Sequence, residues 1–539
     1  MIKKITGTNP SKPEPELEQS EVQEYLYLRQ QRRRLFPLAA LVGLCAGIVA
    51  VLFRGALSEM DIVRNSLIEK TQTQPLWGWI FPILFAMGGT VLSLFLVRRY
   101  APETKGSGIP HLEAVLQRLR DLEWSRVLPV KFFGGIIAIG SGLTLGREGP
   151  TVQMGGAIGD AISRALKVSP RERLTLIAAG AGAGLAAAFN APLSGLVFVL
   201  EEVQRDFHPI VFGTAFLAAA VATVVAQLGA DPFPVFSVSM YPTPPLTALP
   251  AFAILGIVAG LLGVAFNKSL VASLDFYGRM KNKYIAAAIT GGLIGLIGWF
   301  APMAIGSGHP LAEMTLAGKV ALTAIPLWLL VRFALTVSSY GTGVPGGIFA
   351  PLLVIGALIG LAVGQVTQMI APSSVPVPAV FAVVGMAAYF TAIVRAPLTG
   401  VVLIIEMTGN YEQMLPLLVS CFFAYAIAEA LKDLPIYEVL LERDLHHDGN
   451  ETSLAQPIVM DFTVQEGSLF EGKVVRSLGL PAGCILVRCT NGKREWVPKA
   501  NTRLESNMQI TAVIEPEAAA GLSILRNGCE SLRSPIRED

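Results

Sequence analysis

The chain has 539 residues, of which 52% are hydrophobic and only 15% charged. A soluble domain carries about 25% charged residues, so an ordinary globular protein is excluded and lipid is the expected solvent. A net charge of +2 is too small to favour a nucleic-acid partner.

The first 35 residues are polar and read as a cytosolic arm with a short helix from Glu18 to Arg34. That polar lead is too long for a cleaved signal peptide. Arg29, Arg32, Arg33 and Arg34 stand directly before the first apolar run and place the N-terminus in the cytoplasm by the positive-inside rule. Residues 36–440 read as the membrane body. Within it, Leu35–Phe53, Leu76–Leu96, Ala251–Phe266 and Tyr284–Phe300 reach or approach the length that crosses a ~30 Å hydrocarbon core. The other apolar segments are shorter and broken by Gly and Pro. A helix ending within the bilayer must be buried in protein or line a cavity, because lipid satisfies none of its free N–H and C=O groups. Such interrupted segments point to a channel or transporter.

Residues 441–458 form a charged linker, with the run ERDLHHDGNE over Glu442–Glu451. Beyond it, CILV (Cys484–Val487) and ITAVI (Ile510–Ile514), with turn residues at Asn491-Gly492-Lys493 and Asn501, predict a small β-rich soluble domain over 459–515. A loosely structured tail, 516–539, follows. The five cysteines (Cys45, Cys421, Cys484, Cys489, Cys529) show neither metal-ligand spacing nor a disulfide framework, and no metal site is expected. Cys484 and Cys489, five residues apart, are expected on opposite faces of one strand.

The body repeats internally. Ala191–Gly195 (APLSG) recurs 205 residues later as Ala396–Gly400 (APLTG), and at the same offset Glu201 meets Glu406. Gly146–Pro150 (GREGP) aligns with Gly347–Pro351 (GIFAP) at an offset of 201, and Gly155 and Gly159 then meet Gly356 and Gly360. Paired halves with Gly/Pro-broken segments at corresponding places point to a binding site between repeats at mid-membrane.

Three segments carry candidate chemistry. In Gly106-Ser107-Gly108-Ile109-Pro110 the small residues allow a tight turn, and a helix starting at Pro110 aims its N–H groups at an anion. The same pattern also reads as a capped turn. A phosphate-binding loop is rejected, because no Lys-Ser/Thr pair follows. Glu148, in Gly146-Arg147-Glu148-Gly149-Pro150 between apolar runs, is a carboxylate at a costly depth and thereby a functional candidate; a salt bridge with Arg147 is the structural alternative. Gly346–Pro351 (GGIFAP) has no titrating group, so its chemistry reduces to backbone N–H donation or to a packing kink.

In this order and spacing, GSGIP, GREGP and GGIFAP resemble the three anion-selectivity signatures of the CLC chloride channel and transporter family, and AAFNAPLSG (Ala187–Gly195) and APLTG are similar to it too. The resemblance implies an all-α polytopic membrane protein, a homodimer embedded in lipid. Each subunit would be built from two inverted repeats with broken and re-entrant helices, with the small β-rich soluble domain behind. It implies a central chloride held by the Ser107 and Tyr437 hydroxyls and by the N–H groups of Ile348 and Phe349. Gly106, Gly108, Gly146, Arg147, Gly149 and Gly347 would shape the loops around it. Glu148 would be the external gate and Glu202 the internal proton-transfer carboxylate, the residue that separates exchangers from channels. Glu201 reads as a carboxylate at a helix end in cytosolic water, and Lys131 as one half of a structural pair with Glu113. Ser107 favours chloride over nitrate, and the intact GREGP argues against the fluoride-exporting branch.

The function so implied is electrogenic exchange of chloride for protons across a cell (inner) membrane, with both termini cytoplasmic; a passive, gated chloride channel is the alternative. No enzyme constellation is present, and no cofactor is implied beyond chloride as substrate. Leu480-Pro481-Ala482-Gly483 and Trp496-Val497-Pro498 resemble the C-terminal regulatory β-domain of potassium-transport proteins, whose ligand here is not readable from sequence.

Overall fold

In the computed structural model of the chain the described residues are 15–74, 76–205, 207–229, 236, 241, 243–372, 377–447, 458–491, 494–515, 518 and 520–529. The chain divides into two compact units, Met1–Leu116 with Leu122–Leu441, and Gln117–Asp121 with Glu442–Asp539.

The larger unit is helical. Its first half comprises α1 (Pro15–Gln72), α2 (Ile80–Tyr100), α3 (Ile109–Leu116), α4 (Trp124–Gly140), α5 (Glu148–Ala165), α6 (Pro170–Phe189), α7 (Pro192–Phe198) with a π-helical turn at Val199–Val203, and α8 (Pro209–Leu228). The second half runs through α9 (Leu249–Arg279), α10 (Lys283–Phe300), α11 (His309–Leu316), α12 (Ile325–Gly341), α13 (Phe349–Ile370), α14 (Ala379–Val394), α15 (Pro397–Thr408) and α16 (Met414–Ala430). Element for element, the second half repeats the first. α17 (Ile436–His447) follows.

Among the described residues, seven helices are long and apolar enough to cross a membrane. Leu52, Leu84, Ile254, Leu293 and Leu327 lie exposed on such helices or on the shorter apolar α12, as lipid-facing side chains should. The short helix expected over Glu18–Arg34 is instead continuous with the first apolar run in α1. Pro37, at the start of the apolar run, does not break the helix, and Glu, Gln, Leu and Arg on either side are good helix formers.

Helices pack closely where side chains vanish. α5 lies along α6 and α13 along α14. A Cβ on Gly155 would come within 2.0 Å of the Gly180 carbonyl oxygen, and one on Gly356 within 2.5 Å of that of Gly385. Small residues at helix crossings are how membrane helices gain contact without a hydrophobic driving force. Here the device recurs in both halves.

The smaller unit contains a four-stranded antiparallel sheet in the order β1-β4-β2-β3: β1 (Ile458–Thr463), β2 (Cys484–Asn491), β3 (Arg494–Trp496) and β4 (Gln509–Ile514). Gly492 and Lys493, expected in the β2–β3 turn, lie outside the described residues, as do 448–457 of the linker. Cys484 and Cys489 do not face opposite sides. Both are buried, because a register shift between Leu486 and Arg488 inserts a bulge that resets the alternation. Nor is the tail wholly loose. α18 (Ala520–Cys529) turns Leu525 and Cys529 into the same apolar cluster as Cys489, Ile510 and Ala512.

Candidate functional site

Three loops distant in sequence are stitched together by backbone hydrogen bonds. Gly106 N–H donates to the Val344 carbonyl at 3.1 Å, and Gly346 N–H returns a bond to the Gly106 carbonyl at 2.9 Å. Gly146 and Gly347 exchange two bonds, each 2.7 Å. The GSGIP, GREGP and GGIFAP segments thus meet, and each opens a helix: α3, α5 and α13. Gly106 and Gly108 adopt φ of +59° and +82°, which glycine reaches without steric cost. A Cβ on Gly149 would stand 2.8 Å from that of Ser107, so the two loops touch only because Gly149 has none.

Ser107 is fully buried. Its N–H donates to the Tyr340 hydroxyl at 3.4 Å, and its Oγ accepts from the Ile109 N–H at 3.3 Å. An oxygen used as an acceptor keeps its own O–H free to donate elsewhere. Ile348 and Phe349 head α13, both fully buried, and the first N–H groups of a helix have no intrahelical acceptor. Tyr437 is also fully buried; its ring lies 6.4 Å from that of Phe349 at 23°, and among the described residues its hydroxyl has no hydrogen-bond partner. A buried O–H with nothing to bond is costly unless something else accepts it.

Glu148 begins α5 and is buried. Its Oε2 accepts from the Ala350 N–H at 3.4 Å, so a carboxylate of the chain occupies the N-terminal end of α13, where the helix favours an anion. Arg147 Nη2 donates to the Ala188 carbonyl at 3.4 Å. Glu148 and Arg147 line a cavity of about 400 Å³ with Arg54, Asp61, Asn190 and His309 among its other walls.

The π-turn at Val199–Val203 carries two glutamates with different surroundings. Glu202 is buried, with Oε1 lacking a hydrogen bond and lying 3.8 Å from Arg205 Nη2. Arg205 also pairs with Glu438 of α17. Glu113, on α3, is buried with one unbonded oxygen, and α3 packs against this turn. Glu201 does not sit in cytosolic water. It caps α15, accepting from the N–H groups of Leu398 and Thr399 at 3.0 and 2.7 Å and from the Thr399 hydroxyl at 2.8 Å. Glu406 at the end of α15 does the same for α7, accepting from Leu193 N–H (3.0 Å), Ser194 N–H (2.7 Å) and Ser194 Oγ (2.6 Å). Each repeat's carboxylate caps the other repeat's helix, the exchange that a two-fold relation between antiparallel halves requires.

Lys131 is not paired with Glu113. Its fully buried ammonium donates to the carbonyls of Thr104 (2.9 Å) and Gly106 (2.7 Å), holding the GSGIP loop. Arg332 acts likewise in the second half, donating to Ala304 (3.0 Å), Gly306 (3.0 Å) and Ser307 (2.9 Å). That loop, Gly306-Ser307-Gly308-His309-Pro310, repeats GSGIP 200 residues on; the sequence reading missed it, along with Tyr340 and Arg332. The identical Gly-Ser-Gly at a fixed offset was the available signal.

Residues 88–429 match the voltage-gated chloride channel family. The chain belongs to this family. A second match, to the TrkA-C domain, covers residues 459–523. The H(+)/Cl(-) exchange transporter ClcA of Vibrio parahaemolyticus is 39% identical over 419 residues, which cover 76% of this chain and 90% of that protein. The ClcA of Salmonella paratyphi A is 36% identical over 416 residues, with 76% and 88% covered. Among solved structures, a slow cyanobacterial Cl-/H+ antiporter superposes with a TM-score of 0.74 at 38% identity, covering 77% of this chain and 98% of that one. A eukaryotic CLC transporter gives 0.65 at 25%, with 76% and 74% covered. A CLC-type fluoride/proton antiporter gives 0.65 at 21% identity and shares the fold. The chain is thus a multi-pass membrane protein of the CLC fold with a small C-terminal β domain.

Proposed function

We propose that the protein exchanges chloride for protons across its membrane. The observation that carries the reading is the Glu148 carboxylate lying on the Ala350 N–H at the head of α13. There it occupies a place suited to an anion and competes with chloride for it. Protonation removes its charge and with it the attraction to the helix end. The neutral side chain leaves toward the 400 Å³ cavity it already lines, and chloride takes the place. Deeper, chloride is held by the O–H of Ser107, the free O–H of Tyr437 and the N–H groups of Ile348 and Phe349. This set includes no Lys or Arg. Dipoles alone hold the ion well enough to select it and loosely enough to release it.

Glu202, buried with an unbonded oxygen, is the inner proton carrier. Asn190, which ends α6 just ahead of α7, lines the cavity, and Glu202 lies beyond α7 in the π-helical turn; the proton and chloride paths part below Glu148. The relatives' names support exchange over passive conduction. The arginines that precede the apolar run within α1 favour a cytoplasmic N-terminus. From Leu35 to Arg54 the helix rises about 30 Å, which supports an outer position for the Arg54-lined cavity. The working unit is a homodimer in lipid, with a pathway in each subunit, and the β domain regulates it.

The test is the reversal potential of reconstituted protein under opposed chloride and proton gradients. Exchange predicts a value displaced from the chloride potential by the pH gradient. Glu148→Ala is expected to move the potential onto that of chloride while flux continues. A wild-type potential that follows chloride alone would establish the passive channel instead, and a Glu148→Ala variant that still drives protons uphill would remove Glu148 from the gate.

A further inference from the structure

The outer cavity contains a titratable side chain that the exchange scheme above does not use. His309 is the first residue of α11 and lines the same cavity as Glu148. Its ring stacks on Phe236 with centroids 5.0 Å apart at 18°, and its Nε2 stands 3.4 Å from Glu313 Oε1. Its side chain is 46% exposed, so one imidazole has access both to solvent and to the cavity that leads to the gate. An unperturbed imidazole changes charge between pH 5 and 8.

The repeat makes the position informative. His309 aligns with Ile109 of the GSGIP loop at the offset of 200 that also aligns Glu313 with Glu113. The loops are held alike by Lys131 and Arg332, so the backbone is common to both halves. Ile109 is fully buried, and Glu113 is buried while Glu313 is 49% exposed. The symmetry therefore breaks at the residue that faces the outer cavity, and it breaks toward a group that titrates.

We propose that His309 relays protons between the external solution and Glu148. The inference rests on Glu148 being the gate. The imidazolium gives one N–H proton to cavity water, which passes a proton to the Glu148 carboxylate, and the neutral ring takes its next proton from outside. Charge on His309 falls by one as that on Glu148 rises by one, and no co-reactant is needed. The charged groups that line the cavity with it are Arg54 and Asp61 from α1, Arg147 and Glu148 at the start of α5, and Glu313 from its own helix. Glu313 Oε1 stands beside Nε2, and the stack on Phe236 keeps the ring at the cavity wall.

The experiment is chloride-driven proton uptake in vesicles containing His309→Gln, at neutral external pH and low buffer. The expected result is a several-fold slower turnover at an unchanged reversal potential. Turnover should recover as a membrane-impermeant zwitterionic buffer, with a pKa near that of imidazole, is raised outside, while the parent protein responds little. In a Glu148→Ala background, His309→Gln should leave chloride flux unaltered. Unchanged turnover in weak buffer would overturn the relay. So would a slowing that ignores buffer, which would mark His309 as merely structural. Failure of the gate itself shows differently, as proton coupling that survives in Glu148→Ala alone.

Discussion

Glu202 and Glu113 each keep an oxygen that no described residue bonds, although both are buried. Two such carboxylates beside a single arginine are expensive, and evolution retains ionisable groups inside a membrane protein for transport rather than for stability. Glu202→Gln keeps the shape and the Arg205 neighbourhood but cannot titrate in the working range. We expect chloride flux to persist in this variant while proton coupling falls to a small fraction of the parent, read as a reversal potential that no longer moves with pH. Full coupling in Glu202→Gln would transfer the inner role to Glu113. Lys131 marks the contrast. Its ammonium is consumed by two loop carbonyls, so its purpose is to hold Gly106 and with it the loop that carries Ser107. An ion-pair partner for it, expected from the nearby acid, is unnecessary once carbonyl dipoles satisfy the charge.

The reciprocal caps at α7 and α15 are the clearest product of the internal repeat, and they can be weighed. Each carboxylate accepts two backbone N–H bonds and one hydroxyl, and bonds to charged groups contribute about 1.5–3 kcal/mol each. Glu406 is buried and Glu201 partly exposed. Glu406→Gln should therefore lower the thermal midpoint of the detergent-solubilised protein more than Glu201→Gln, both without altering the proton-to-chloride ratio. Equal midpoints across parent and both variants would remove the caps from the stability of the fold. The Glu201–Glu406 equivalence was legible from the 205-residue offset, because repeats share spacing. Its direction was not, since which helix end a carboxylate reaches depends on how two halves meet. The same limit explains the stitching of Gly106 to Val344 and Gly346: each loop announced a turn, and nothing local named its neighbour. Cys489 failed for another reason. A strict two-residue period holds only while the strand has no bulge, and the one between Leu486 and Arg488 left no local mark. α18 was hidden by its position after the last strand, although Leu525 and Cys529 sit four apart, one helical turn.

At the scale of the chain, the residues proposed to handle the ions and the strands of the β domain fall in two different units. Ser107, Glu148, Glu202, His309, Ile348, Phe349 and Tyr437 all precede Glu442, and the described strands begin at Ile458. The smaller unit has its own apolar cluster, including Val464, Leu504, Ile510 and Leu525, so it gains its stability from contacts of its own. A chain ended after His447 retains both repeats and the whole of α17, which carries Tyr437. An end placed earlier, within Glu442–His447, would fray the helix that seats this tyrosine, because terminal turns lose their hydrogen bonds first. The prediction is that the protein ended after His447 inserts, dimerises and exchanges chloride for protons with the reversal potential of the parent, at a rate altered by loss of the regulatory domain. Flux and reversal potential after reconstitution decide the matter. A folded dimer without chloride transport would mean that the β domain helps to build the pathway. A dimer with transport but a shifted reversal potential would mean that it takes part in coupling.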